Sequence, residues 1–165
     1  MFDREAVAVT RRYRSDVFGD DPHEPQLVLT MQNRREAGMG LPIPSGQVTV
    51  FAAGAARPIL VGEAELDDKA EGEKVEVVLP ATPDVTAATE TAPLKRGARR
   101  TTLTVTNATR QPIEHEARIA LADGERPRGL VREDGRWIAR LRVPANASAS
   151  VSWTVRPRGP DRRRD

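Results

Sequence analysis

The side chains with chemical potential in this chain of 165 residues are few, and their spacing decides which reactions are open. Cysteine is absent, so a metal site would have to be completed by carboxylates around the two histidines, His23 and His115. His23 stands in "DPHEP", which reads as an exposed loop. His115 stands in "EHEAR", where Glu114 and Glu116 alternate with it along a strand and so point to the opposite face. Two-histidine metal motifs need same-face spacing, and a solvated strand histidine is the expectation. The run "DDKAEGE", Asp67 to Glu73, gathers four carboxylates around a glycine like a calcium loop, but Lys69 occupies the third ligand position. It reads as an exposed hairpin connection. No Gly-x-Ser-x-Gly occurs, and the serines cluster in "NASASVS" on a strand, so no nucleophile motif is present. No catalytic, metal or cofactor residue is expected.

Charge points to partners in the same way. The 26 basic and 24 acidic residues leave a net +2, and the excess sits in the tail "RPRGPDRRRD". Lys95, Arg96, Arg99 and Arg100 form a second basic cluster that could contact phosphates. Aromatics are not interleaved with it, so the stacking platform of single-strand binders is missing and nucleic acid is an unlikely partner. Trp137 and Trp153, on alternating strands, read as core anchors and not as a sugar-stacking pair. The sequons at Asn107-Ala108-Thr109 and Asn146-Ala147-Ser148 read as turns in which the amide bonds local backbone, and Asn33 at a strand end fits the same reading.

The elements that must carry these groups are strands. Ala6-Val7-Ala8-Val9, "QLVLTMQ", "QVTVF", "KVEVVL", "TTLTVT", "EARIAL", "WIARLRV" and "SVSWTV" alternate with period two between Gly, Pro, Asn or Asp. "RREAGMG" is the nearest helical candidate and carries two glycines. An internal repeat is visible: "LVLTMQN" ending at Asn33 matches "TTLTVTN" ending at Asn107, and "KVEVVLP" matches "SVSWTVR" at an offset drifting from 74 to 76. Aliphatic packing must fill the core, since aromatics are few and disulfides impossible. The predicted fold is all-β, two small tandem antiparallel sandwich units of immunoglobulin-like type. Residues 1–82 form the first, 83–158 the second, and 159–165 a disordered arginine-rich tail. A linker with one edge strand around Asp84 to Thr89 joins them. No apolar run is long enough to cross a bilayer as a helix, and "MFDREAVAVTRRYRS" lacks the apolar centre of a signal peptide.

The segment "GMGLPIPSGQVTVF", Gly38 to Phe51, resembles a phosphate loop only superficially. Pro42 and Pro44 remove two backbone donors, and a strand follows Gly46 where a helix is needed. The prolines instead make a stiff extended strap on which Leu41 and Ile43 point one way. With Asn33 before it, and "VGEAELDDKAEGEKVEVVLP" and "PDV" after it, this segment resembles the bacterial domain of unknown function that forms the C-terminal part of mucoidy-inhibitor-like proteins. There a strand ending in Asn is followed by a "GLG-PLPAG-VRVY" type segment, a "GE" strand, an acidic turn and an "FDV" segment. Met39, Ile43, Ser45 and Phe51 depart mildly from that pattern. The likeness is most specific from Asn33 to Val85 and loose from residue 98 onward. It implies Asn33, Gly38, Gly40, Pro42, Pro44, Gly46, Gly62, Glu63 and Asp84 as structural signature residues. It also implies a cell-envelope setting if the chain belongs to a longer exported protein, and a cytoplasmic one if it is complete. It implies no reaction, and longer relatives carry an N-terminal region and export signal that this chain lacks.

The favoured reading is a non-catalytic interaction or scaffold module with a protein partner. A carboxylate-based hydrolase and a carbohydrate-binding module are the alternatives, the first requiring paired carboxylates in one cleft and the second an exposed tryptophan.

Overall fold

The computed structural model describes residues 6–18, 24–54 and 56–156; His23 and the tail expected to be disordered lie outside them. Twelve strands follow in order: β1 (Thr10–Val17), β2 (Gln26–Gln32), β3 (Gly46–Ala52), β4 (Ile59–Leu66), β5 (Lys74–Ala81), β6 (Val85–Pro93), β7 (Arg99–Asn107), β8 (Ile113–Ile119), β9 (Arg126–Arg128), β10 (Val131–Glu133), β11 (Arg136–Val143) and β12 (Ala147–Arg156). The protein is all-β, and its helical pieces among the described residues are two single 3-10 turns, Arg35–Ala37 and Lys95–Gly97.

Two compact units result. The described residues up to Arg12 together with Gln26–Thr82 make the first, and Tyr13–Pro25 together with Pro83 onward make the second. The expectation of a contiguous first unit, 1–82, is therefore corrected at the N-terminus. Tyr13, Ser15 and Val17 of β1 are buried and run in register with His115, Ala117 and Ile119 of β8. Their side chains complete the core of the second unit, which a reading confined to neighbouring segments does not reveal. The β1–β8 ladder is parallel, so the second unit is not purely antiparallel. Parallel strands need a long connection between them, and here the intervening chain supplies it.

In the second unit, strands in the order β10-β11-β8-β1 make one sheet and β6-β7-β12-β9 the other. Alternation decides which side chains face inward: Leu103 and Val105 of β7, Trp153 and Val155 of β12, Ala139 and Val143 of β11 are all buried. Burying a side chain of the Leu or Val class contributes about 1.5–3 kcal/mol, so this aliphatic layer and one tryptophan suffice without disulfides. The first unit is smaller. The β2–β5 ladder places Leu27, Leu29 and Met31 opposite Leu79, Val77 and Val75, and the β3–β4 hairpin packs across β5. Gly62 lies against β5 there, and a Cβ on it would meet Leu79 at 3.4 Å and Pro80 at 3.5 Å, ordinary contact distances.

Both units are built on one four-strand plan. β2 pairs with β5 and encloses the β3–β4 pair; β7 pairs with β12 and encloses the β8–β11 pair. Registers align at a single offset: Leu29 opposite Val77 corresponds to Leu103 opposite Val151, 74 residues on. The drift to 76 inferred from sequence is thus unnecessary. This nesting also differs from the immunoglobulin order, in which the partners of successive strands interleave between sheets.

Candidate functional site

Of the signature residues, Asn33 and Gly40 meet directly, the Asn33 side chain being fully buried at the end of β2. Its Nδ2 donates to the Leu41 carbonyl at 2.7 Å and the Ala70 carbonyl at 2.8 Å, while its Oδ1 accepts the Gly40 and Leu41 amides at 3.0 and 3.3 Å. One amide thereby satisfies four backbone groups from two loops. Gly40 must have φ of +89°, and a Cβ on it would meet Arg35 Cγ at 2.3 Å and Arg35 N at 2.8 Å. Gly40→Ala is expected to lower stability by about 2–3 kcal/mol, from left-handed strain plus a forced backbone shift, measured by urea unfolding.

The strap and the acidic turn hold each other. Pro42 and Pro44 are exposed and Leu41 and Ile43 half-buried, while Ile43 and Lys69 exchange two backbone hydrogen bonds of 2.8 Å. Asp68 accepts the Ser45 amide and Glu73 the Ala70 amide, at 2.5 and 2.6 Å. Two of the four carboxylates of "DDKAEGE" thus accept backbone amides, and a third, Glu71, lies 3.5 Å from Arg35. Gly38 takes φ of +84° beside Ala6, while Gly46, with open space around it, starts β3. Glu63 faces outward on β4 and accepts from Gln47 at 3.0 Å. Asp84 belongs to the second unit, where its carbonyl accepts the Ala108 amide at 2.7 Å.

Asn107 repeats the device at the end of β7. Also fully buried, it donates to the carbonyls of Gln111 and Pro144 at 2.8 and 2.9 Å and accepts the Thr109 amide at 2.9 Å. The local turn expected from sequence is present, and the bond to Pro144 adds a staple to the segment before β12.

His115 is not a solvated strand histidine. It shares the inner face of β8 with Ile113, Ala117 and Ile119, is 1% exposed, and meets Ser15 Oγ through Nε2 at 3.0 Å. Nδ1 has no partner. An orphaned acceptor costs less than an orphaned N–H, which places the proton on Nε2, donated to Ser15. Burial lowers the imidazole pKa to about 4, against a smaller upward pull from Glu116. Ser15 is 2% exposed, so this serine–histidine pair is a core contact closed to substrate.

On the outer face of the same sheet, Glu116 accepts from Arg118 at 3.3 Å and from Arg140 at 3.1 Å, and Arg140 also grips Glu133 at 2.5 and 2.7 Å. The hydrogen bond that it donates to Glu133 leads in holding the Arg140 guanidinium above its ordinary range. This face neutralises itself.

The outer face of the other sheet does not. Three hydroxyl pairs cross from β7 to β12: Thr102 with Ser152 at 2.8 Å, Thr104 with Ser150 at 2.9 Å and Thr106 with Ser148 at 2.8 Å. At the end of this ladder, Thr154 is flanked in register by Arg100 of β7 and Arg128 of β9, and Arg156 is opposite Arg126. None of these four arginines has an acidic partner among the described residues. The carboxylate at that end, Glu125, is taken by Arg99 in a bidentate pair of 2.5 and 3.0 Å, and that bond holds its pKa below the ordinary value. In sequence Arg100 and the "RPR" of β9 stand 26 residues apart, and only strand pairing on either side of β12 joins them. Trp153 is buried in the core, and Trp137, half-buried, lies 5.7 Å beneath the Arg132 guanidinium. Comparison with family models, curated proteins and solved structures finds no match to this chain.

Proposed function

We propose that this chain is a non-catalytic β-sandwich interaction module that takes a protein partner by strand addition at β3. The observation that supports this reading is the difference between two equivalent edges. In the second unit β8 carries β11 on one side and the parallel segment Tyr13–Val17 on the other. Its counterpart β3 pairs with β4 alone among the described residues. An exposed edge presents a row of unpaired amides and carbonyls, which proteins cover or use. Here the hairpin beside that edge exposes Phe51, Ile59 and Leu60, each more than half accessible, and they offer apolar contact to an incoming strand. The resemblance to mucoidy-inhibitor-like proteins adds a bacterial cell-envelope setting to the proposal.

A photo-crosslinking amino acid at Thr49, next to the open edge, tests it in the native host. A discrete protein adduct at position 49 that is absent when the label sits at Thr106 supports strand addition. Equal labelling at both positions, or none at 49, rejects it.

A further inference from the structure

The arginine-ended hydroxyl ladder of the second unit forms a binding surface separate from the β3 edge, and we propose that it binds a linear acidic glycan. Register fixes its geometry. Successive outward residues on a strand are about 7 Å apart and neighbouring strands about 4.8 Å apart, so the three hydroxyl pairs run as even rungs toward the four guanidinium groups. In each Thr–Ser pair one hydroxyl donates to the other, and the acceptor's own hydrogen remains free. Each rung therefore offers one donor and spare lone pairs to solvent or to a ligand, and a sugar hydroxyl needs the same complement.

The charged end selects for an anion. Arg100 and Arg128 flank Thr154 across two strand spacings, with Arg126 and Arg156 in the adjacent row. Guanidinium groups without acidic partners can each take a carboxylate or sulfate in a two-point contact. Glu90, opposite Thr102 on the β6 side, is an exposed carboxylate near them and leaves the end strongly basic.

The composition of this face favours a glycan over other polyanions. No aromatic side chain belongs to the outward positions of β6, β7, β9 or β12, so nucleobases would have no surface on which to stack. The outward residues of β7 and β12 between the rungs and the arginines are also polar, so a lipid surface would find no large apolar group to insert. A chain that alternates hydroxyls with anionic groups matches both ends of the surface.

Calorimetric titration of the full chain with a homo-oligogalacturonate at low salt tests the proposal. Saturable binding is expected, weakening as salt rises. It should weaken roughly ten-fold or more in Arg100→Gln/Arg128→Gln, the loss of one or two charge-assisted contacts. Arg126→Gln/Arg156→Gln should weaken it independently, and Thr104→Val/Ser150→Ala should do so by a few fold, with the melting temperature unchanged in each. A neutral galacto-oligosaccharide of equal length should not bind. Absence of binding, binding unaffected by both arginine pairs, or equal affinity for a thymidine oligonucleotide of the same charge would overturn the assignment; the last would mark a generic polyanion surface.

Discussion

Replacing Asn107 by alanine should cost about 2–3 kcal/mol, because the part-buried hydrogen bonds to the carbonyls of Gln111 and Pro144 and from the amide of Thr109 are lost together, each worth about 0.5–1.5 kcal/mol. Asn33→Ala should cost about 2–3 kcal/mol for the same reason, with the Leu41 and Ala70 carbonyls and the buried Gly40 amide losing their partner. Aspartate should be worse than alanine at either position at neutral pH. It is nearly isosteric, but it replaces the Nδ2 donor with an oxygen aimed at carbonyl oxygens and buries a charge in a fully enclosed site. The ordering separates this account from simple loss of packing, under which aspartate would be the milder change. Urea unfolding followed by circular dichroism for Asn33 variants, and by tryptophan fluorescence for Asn107 variants, reads the values. A cost below about 1 kcal/mol at both positions would show that water replaces the amide easily.

Those two asparagines show how much the chain disclosed before folding. Their place at the ends of matching strands was legible, because "LVLTMQN" and "TTLTVTN" align without a gap. The strap was legible too, since prolines fix their own φ and extend the residue before them. What the amides reach was not. The Ala70 and Pro144 carbonyls lie 37 residues away from Asn33 and Asn107 respectively, and no local rule connects them. The equal separation in the two units is a product of the shared nested plan.

Face assignment explains the remaining differences. In "IEHEARI" the histidine falls in phase with Ile113, Ala117 and Ile119, and this was the available signal for its burial. The parallel strand β1 had no such signal, because Tyr13, Ser15 and Val17 alternate with charged residues much as an exposed edge strand would. Likewise the serines of "NASASVS" and the threonines of "TTLTVT" were each visible as period-two sets, yet their pairing into rungs needed the β7–β12 register. Periodicity determines which residues share a face; pairing determines which faces become a surface.

The buried imidazole makes acid stability a second large effect. In the folded chain His115 titrates at about 4, below the ordinary value of 6.5 that the unfolded chain would show. Between these values the unfolded state binds a proton that the folded state refuses. Stability is therefore full above pH 6.5, falls as pH drops toward 4, and loses about 3 kcal/mol over that window. Glu125, held low mainly by the Arg99 hydrogen bond, loses its contribution only at lower pH. The upper part of the acid transition thus belongs to His115. Ser15→Ala/His115→Leu removes both the titrating ring and its hydroxyl partner while keeping an apolar side chain between Ile113 and Ala117. Unfolding free energies measured from pH 7.5 to 4 should fall for the parent chain and stay nearly flat for this variant. Equal slopes in the two proteins would place the titrating group elsewhere. A parent chain that gains stability on acidification would mean that His115 takes up its proton in the folded state, held by Glu116 on the far side of the strand.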